Sequence, residues 1–276
     1  MKRVLMFVII GSVSMGLIFT SCKKSEKEEL EYDTTSTEDA GNSESNFDQV
    51  FQQVDNAAVS KSLGKAGPIV TIDSSTSPIK MTLDYGVATI CDDAKIRSGK
   101  IFVTWTGRYR EPQSVINITF ENFKQENPIL AKSFTIDNIS SKTITNNGRN
   151  ASGQLNWTIS VNAKITIQTG QNITWISNRS RTWLAGEGTP GWNDDKYEVK
   201  GTTSGTNRNG KSYVCNIREG NPLLVDLNCN LRRITKGIID LTPEGKPTRT
   251  IDFGDGTCDA DVTVTVNGRI FKIGKY

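Results

Sequence analysis

From Gly67 onward the side chains alternate between apolar and polar, and that period of two limits the chain to strands. Lys100-Ile101-Phe102-Val103-Thr104-Trp105-Thr106 is the clearest run. Successive side chains of a strand point to opposite faces, so such a run buries one face and wets the other. Residues 154–161, 173–183, 211–217 and 261–266 read the same way and are rich in Thr, Val, Ile and aromatics. Asn146-Asn147-Gly148, Arg208-Asn209-Gly210, Pro243-Glu244-Gly245 and Asn267-Gly268 supply hairpin-type turns. No helical stretch of normal length interrupts residues 65–276. Roughly 14 short strands in one such segment predict an all-β, antiparallel β-sandwich or stacked meander sheets rather than βαβ units.

Two parts of this segment are related. Gly67-Pro68-Ile69 leads through Pro78 to Met81-Thr82-Leu83-Asp84-Tyr85-Gly86 and then Cys91-Asp92. Gly237-Ile238-Ile239 leads through Pro247 to Arg249-Thr250-Ile251-Asp252-Phe253-Gly254 and then Cys258-Asp259. Gly99-Lys100-Ile101-Phe102 follows the first, and Gly268-Arg269-Ile270-Phe271 the second. The shared order predicts two duplicated units, about 67–108 and 237–275, packed as a pair and flanking hairpins over 113–228. In each unit the Asp before the aromatic is expected to cap a tight turn through nearby backbone N–H groups.

Ahead of the β-rich segment the composition changes. Residues 1–60 hold five Lys or Arg and ten Asp or Glu, out of 33 and 30 in the chain. Residues 61–276 therefore carry 28 basic and 20 acidic side chains, a net of +8. Residues 22–45 are acidic, and 34–46 contain no large apolar side chain. A segment that poor in apolar surface is expected to stay a disordered tether. Phe47, Val50, Phe51, Val54, Ala58 and Val59 then recur at helical spacing. They predict one short amphipathic helix over 46–62, in a linking segment 46–64, packed on the domain that follows. No basic cluster in the β-rich part exceeds Arg232-Arg233, so its charge reads as a mixed solvated surface, and no nucleic-acid partner is expected.

The first 21 residues read as a signal peptide: Met1-Lys2-Arg3, an apolar run over 4–19, and a small residue at Ser21. Gly11, Ser12, Ser14 and Gly16 break that run, which suits a cleaved segment better than a permanent span. Phe19-Thr20-Ser21-Cys22 resembles the lipobox of bacterial lipoproteins, with Phe19 where Leu is usual. The resemblance implies lipidation at Cys22 and membrane attachment through the lipid. Cys22-Lys23-Lys24-Ser25-Glu26 is similar to the surface-export signal of Bacteroidetes lipoproteins, and Asp33-Thr34-Thr35 resembles their short O-glycosylation motif. Leu83-Asp84-Tyr85-Gly86, Arg97-Ser98-Gly99-Lys100-Ile101, Thr106-Gly107-Arg108-Tyr109, Thr143-Ile144-Thr145-Asn146-Asn147-Gly148 and residues 251–259 resemble uncharacterised outer-membrane and surface lipoproteins of that phylum. The resemblance implies an outer-membrane location on the cell surface, with the periplasmic face as the alternative, and supplies no site.

The chain has no histidine. That excludes Ser-His-Asp and Cys-His catalysis and every histidine-ligated zinc site. The four cysteines after Cys22 are too widely spaced for a metal knuckle, and in an exported protein they can pair. A hairpin of 231–241 with 248–254 would bring Cys229 and Cys258 together at its open end. Asp252, Asp255, Asp259 and Asp261 lie in a glycine-rich stretch that could offer oxygens to calcium, with a structural turn as the competing reading. Trp183, Glu187, Trp192, Asp194 and Asp195 combine aromatics with carboxylates, which suits sugar binding or, in a paired geometry, glycoside hydrolysis. Packing is the competing role for the tryptophans. No catalytic residue and no cofactor is assigned. The expected function is a non-catalytic binding or structural module with a glycan or envelope protein as partner. A carboxylate hydrolase acting on glycans is the alternative.

Overall fold

The computed structural model describes residues 34–60, 66–109, 111–189, 193–229, 233–259 and 261–273. The alternating runs form sixteen strands. The first eight are β1 (Ile69–Asp73), β2 (Ile79–Asp84), β3 (Thr89–Ile90), β4 (Ile96–Trp105), β5 (Val115–Asn127), β6 (Lys132–Ile136), β7 (Ser141–Arg149) and β8 (Leu155–Ile167). The rest are β9 (Asn172–Ala185), β10 (Lys196–Thr206), β11 (Ser212–Ile217), β12 (Leu223–Asp226), β13 (Ile234–Pro243), β14 (Arg249–Asp255), β15 (Val262–Val266) and β16 (Arg269–Ile273). All pair antiparallel in one hydrogen-bonded sheet, so the expected antiparallel β-fold takes the meander form. Long strands bridge pairs of short ones: β5 and β8 each pair β6 at one end and β7 at the other.

Register puts one side chain in two on a common inner face. Val103 lies opposite Ile118, Ile116 opposite Ile144, and Ala163 opposite Trp175. All six are buried. The Val and Ile side chains among them each contribute about 1.5–3 kcal/mol on full burial.

Among the described residues a single helix, α1 (Thr35–Ser60), covers that face. It starts well before residue 46, inside the stretch expected to be a disordered tether. The sequence carries the reason. Ser36, Ala40, Ser43, Phe47, Val50, Val54 and Ala57 are all buried and follow one another at steps of four and three. The small residues at the front of this stripe let the helix approach the sheet closely, where large apolar ones would hold it off. Phe47 packs edge-on to Phe120 of β5 (ring centroids 5.8 Å) and against Trp175 of β9 (5.3 Å). The sheet curves about α1, because the helix meets β2, β5, β9 and β10, which are far apart in strand order.

The two related units occupy opposite ends of the strand order, β1–β4 and β13–β16, with the intervening strands between them rather than packed as a pair. Their Asp-aromatic-Gly turns are alike. Gly86 N–H donates to Asp84 Oδ1 and Gly254 N–H to Asp252 Oδ1, both at 2.9 Å. The likeness stops at the next glycine. Gly268 closes the two-residue β15–β16 hairpin with Asn267, whereas Gly99 sits at a bulge within β4. There φ is +78°, and a Cβ would fall 2.2 Å from the Asn122 carbonyl oxygen.

Asn146-Asn147-Gly148 is likewise a bulge in β7 rather than a hairpin turn. The Asn146 side chain accepts from Gly148 N–H at 2.8 Å, and the chain reverses later, where Gly153 N–H donates to Asn150. Both a turn and a bulge need a glycine at positive φ, so the tripeptide alone does not distinguish them.

Candidate functional site

The acidic segment and the basic domain meet across the helix–sheet contact. Asp39 is fully buried. It accepts from the Arg208 backbone N–H at 2.7 Å, from Arg208 Nε at 2.8 Å and from Arg208 Nη2. Ser36 Oγ accepts from Asn207 Nδ2 at 2.9 Å. Arg208 belongs to the β10–β11 turn, closed by Gly210 N–H donating to Asn207 and Asn207 N–H donating to Lys211, so hairpin geometry sets the cation's place.

Further along α1, Glu44 pairs with the buried Arg179 of β9 at 3.3 Å. The Lys142 ammonium, from β7, donates to the Phe47 carbonyl at 3.2 Å, lies 3.7 Å from Asp48, and sits 5.2 Å from the Phe51 ring centre. Burial pulls Lys142 below the ordinary lysine value, with Asp48 and Glu44 opposing that shift. Gln49 Oε1 receives Lys95 Nζ and Gln125 Nε2, and Gln125 in turn accepts from the buried Arg97 at 2.8 Å. Arg97 also grips Asp93 through two bonds of 2.9 and 2.7 Å. The charge division between the N-terminal segment and the domain is thus partly spent inside the fold. The sequence signal was available in the small-residue steps and in the acidic residues beside them. Reading the small residues as polar hid it.

The Trp183 stretch forms a second cluster, at the opposite end of β9 and β10 from Arg208. Trp183 and Tyr197 face each other across these strands and stack, with ring centroids 5.8 Å apart and planes 29° from parallel. Trp157 of β8 lies 6.0 Å from Trp183 on its other side. The Arg181 guanidinium sits 4.4 Å from the Tyr197 ring centre. Asp195 is buried and accepts from the Tyr197 hydroxyl at 2.5 Å. Burial, with that hydrogen bond, pushes the Tyr197 hydroxyl well above the ordinary tyrosine value. Trp183 Nε1 and Asp195 Oδ1 are buried and make no hydrogen bond among the described residues.

The other two carboxylates of the stretch turn outward. Glu187 forms a two-point pair with Arg149, one bond at 3.0 Å, which lowers its pKa. Asp194 accepts from Thr189 Oγ1 at 2.7 and 2.9 Å. Trp192 lies outside the described residues. Cross-strand register brings Trp157 and Tyr197 beside Trp183, Arg181 lies two residues before it on the same strand, and sequence reading named none of the three.

The aspartates considered for calcium are used otherwise. Asp252 accepts from Gly254 N–H, Asp255 from Thr257 N–H and Oγ1, and Asp259 from Asp261 N–H. Among the described residues no three His, Cys, Asp or Glu side chains gather as a metal site. Asp252, Asp255 and Asp259 each sit two residues before their backbone donor, the spacing of an Asx turn.

The sulfurs of Cys229 and Cys258 are bonded, with Cα atoms 5.5 Å apart, beyond the open end of the β13–β14 hairpin. Cys91 and Cys215 are free and buried, and burial pushes the Cys215 thiol up to about 11, which keeps it protonated and unreactive at neutral pH. Among the described residues no helix is long and apolar enough to cross a membrane. No family model, curated protein or solved structure matches the chain.

Proposed function

We propose that the protein is an exported lipoprotein of the bacterial outer membrane, anchored through acylated Cys22, whose β-domain is a non-catalytic binding or structural module displayed on the cell surface. The observation that carries this reading is the N-terminal pattern: a basic start, an interrupted apolar run and Ser21-Cys22 where polar sequence begins. The Cys229–Cys258 disulfide supports an oxidising compartment. The resemblance to Bacteroidetes surface lipoproteins belongs to the same proposal.

Binding is favoured over hydrolysis because each carboxylate of the Trp183 stretch already serves the fold. Glu187 holds Arg149, Asp194 accepts from Thr189, and Asp195 is buried on Tyr197. A glycan is the ligand class that suits the Trp157–Trp183–Tyr197 aromatic group, since sugar rings stack on such faces. An envelope protein is the other partner class.

Metabolic labelling with palmitate tests the anchor. Incorporation that disappears in Cys22→Ala is expected; equal labelling of both chains refutes it. A glycan array probed with the purified protein and with Trp183→Ala tests the ligand class. Signal lost in the variant is expected, and no signal from the parent on any glycan removes the sugar reading.

A further inference from the structure

We infer that the rim of loops at the Arg208 end of the sheet rests on the lipid surface to which Cys22 would anchor the chain; this rests on the lipoprotein reading above. Antiparallel register places most connections at one of two ends, the mid-sheet β6–β7 loop being an exception. The Arg208 end gathers the β2–β4 connection, the β5–β6 loop, the β10–β11 turn, the β13–β14 turn and the β15–β16 hairpin, together with the start of β1.

Exposed apolar side chains concentrate there. Of eleven large apolar side chains exposed among the described residues, six lie at this end: Ile69, Val87, Ile90, Ile129, Leu130 and Ile270. Val87 is 98% exposed and Ile129 82%. Scattered surface apolar residues are ordinary, but six of them on the loops of one end are a concentration of the kind found where a surface meets a partner. Charge at this end is mixed, with Lys132, Lys211 and Arg269 beside Asp92 and Glu244, all exposed. Apolar side chains therefore supply the attraction.

The chain outside the described residues selects lipid as the occupant. Helix α1 begins at the same end, where Ser36 bonds Asn207. Only twelve residues, and so thirteen Cα–Cα steps, lie between Cys22 and Thr35, which reach at most about 45 Å in any conformation. The fourteen residues of β9 alone span about 45 Å. A lipid on Cys22 therefore leaves the Arg208 end nearest the membrane, while placing the opposite end there would need the linker fully drawn out alongside the whole sheet. The Trp183 cluster then faces away from the membrane, where a ligand can reach it.

Vesicles of phosphatidylethanolamine and phosphatidylglycerol, with and without brominated acyl chains, test the orientation on the lipidated full-length mature protein. Val87→Trp and Ile129→Trp report from this end. Ile139→Trp, at an exposed site between β6 and β7 and away from both ends, is the control. Flotation with the vesicles, lost in Cys22→Ala, tests the anchor separately. At least twofold quenching of the added fluorescence at positions 87 and 129, with none at 139, is expected. Protein that floats but shows no quenching at 87 or 129 overturns the orientation while leaving the anchor intact. Quenching at 87 and 129 that persists when Ile90 and Leu130 are both changed to Asp would show tethering without insertion, and also overturns it.

Discussion

Removing either member of the Asp39–Arg208 pair should be costly, and unequally so. Asp39 is fully buried, while the Arg208 side chain is 29% exposed. Breaking a buried ion pair from one side costs about 3–5 kcal/mol, because the remaining charge keeps its desolvation penalty. Arg208→Ala strands a carboxylate that water cannot reach, with only the backbone N–H of residue 208 still bonded to it. Its cost should sit in that range, about 4 kcal/mol. Asp39→Ala strands a guanidinium that can turn to solvent or to Glu38, 3.6 Å away, and should cost nearer 2 kcal/mol. The double variant leaves no orphaned charge, so it should be more stable than the sum of the single losses by about 2 kcal/mol. Urea denaturation at 25 °C of the four chains in a Cys22→Ser background, followed by circular dichroism, reads all three numbers. Single variants within about 0.5 kcal/mol of the parent, or strictly additive losses, would refute the reasoning, since either means the pair is solvated and α1 is not seated on the sheet.

Three further outcomes follow from the same structure. Phe47→Ala empties the space between Phe120 and Trp175 and should cost about 3–5 kcal/mol in the same urea assay; a loss below about 1 kcal/mol would mean the helix is not packed there. The Arg218 hydrogen bonds depress the Asp240 pKa below 3.8, so the stability this pair contributes is present above pH 3.8 and is lost as pH falls through the lower folded value. Asp240→Asn should therefore cost about 1 kcal/mol at pH 7 and less at pH 2, and a cost independent of pH would contradict the assignment. Replacing Cys229 and Cys258 by serine opens a loop with a sequence separation of 29 and should cost about 3–4 kcal/mol, whereas an unchanged urea midpoint would show that the bond does not constrain the unfolded chain.

Local rules were legible in the sequence where chemistry and geometry coincide. Alternation placed β4, β8, β9, β11 and β15, and Asn267-Gly268 closes a two-residue hairpin between Val266 and Arg269. The Asp84 and Asp252 caps followed from an Asp two residues before a glycine. The helix start was misjudged because Ser36, Ala40 and Ser43 count as polar or small in any hydrophobicity reading, yet small size is what a close helix–sheet approach needs. Asp39 compounded the error. A buried carboxylate makes sense only beside Arg208, which lies 169 residues away and reaches it through a hairpin. The aromatic group was half legible. Trp183 stood out, but Trp157 and Tyr197 become its neighbours only through the β8–β9–β10 register. The duplication was read correctly at its Asp-aromatic-Gly turn and too far at Gly99, where a bulge and a hairpin make the same demand on φ.

The central claim is that α1 is a core element of the β-domain and not the end of a tether. Native-state hydrogen exchange of the α1 backbone amides tests it most directly. Opening free energies for Val50, Val54 and Ala57 that match those of the central strands β8 and β9 are predicted, with protection extending back to Ala40 and Ser43. Exchange of residues 36–45 at the rate of an unstructured peptide would contradict it, because the Asp39–Arg208 pair and the small-residue stripe could not then be formed.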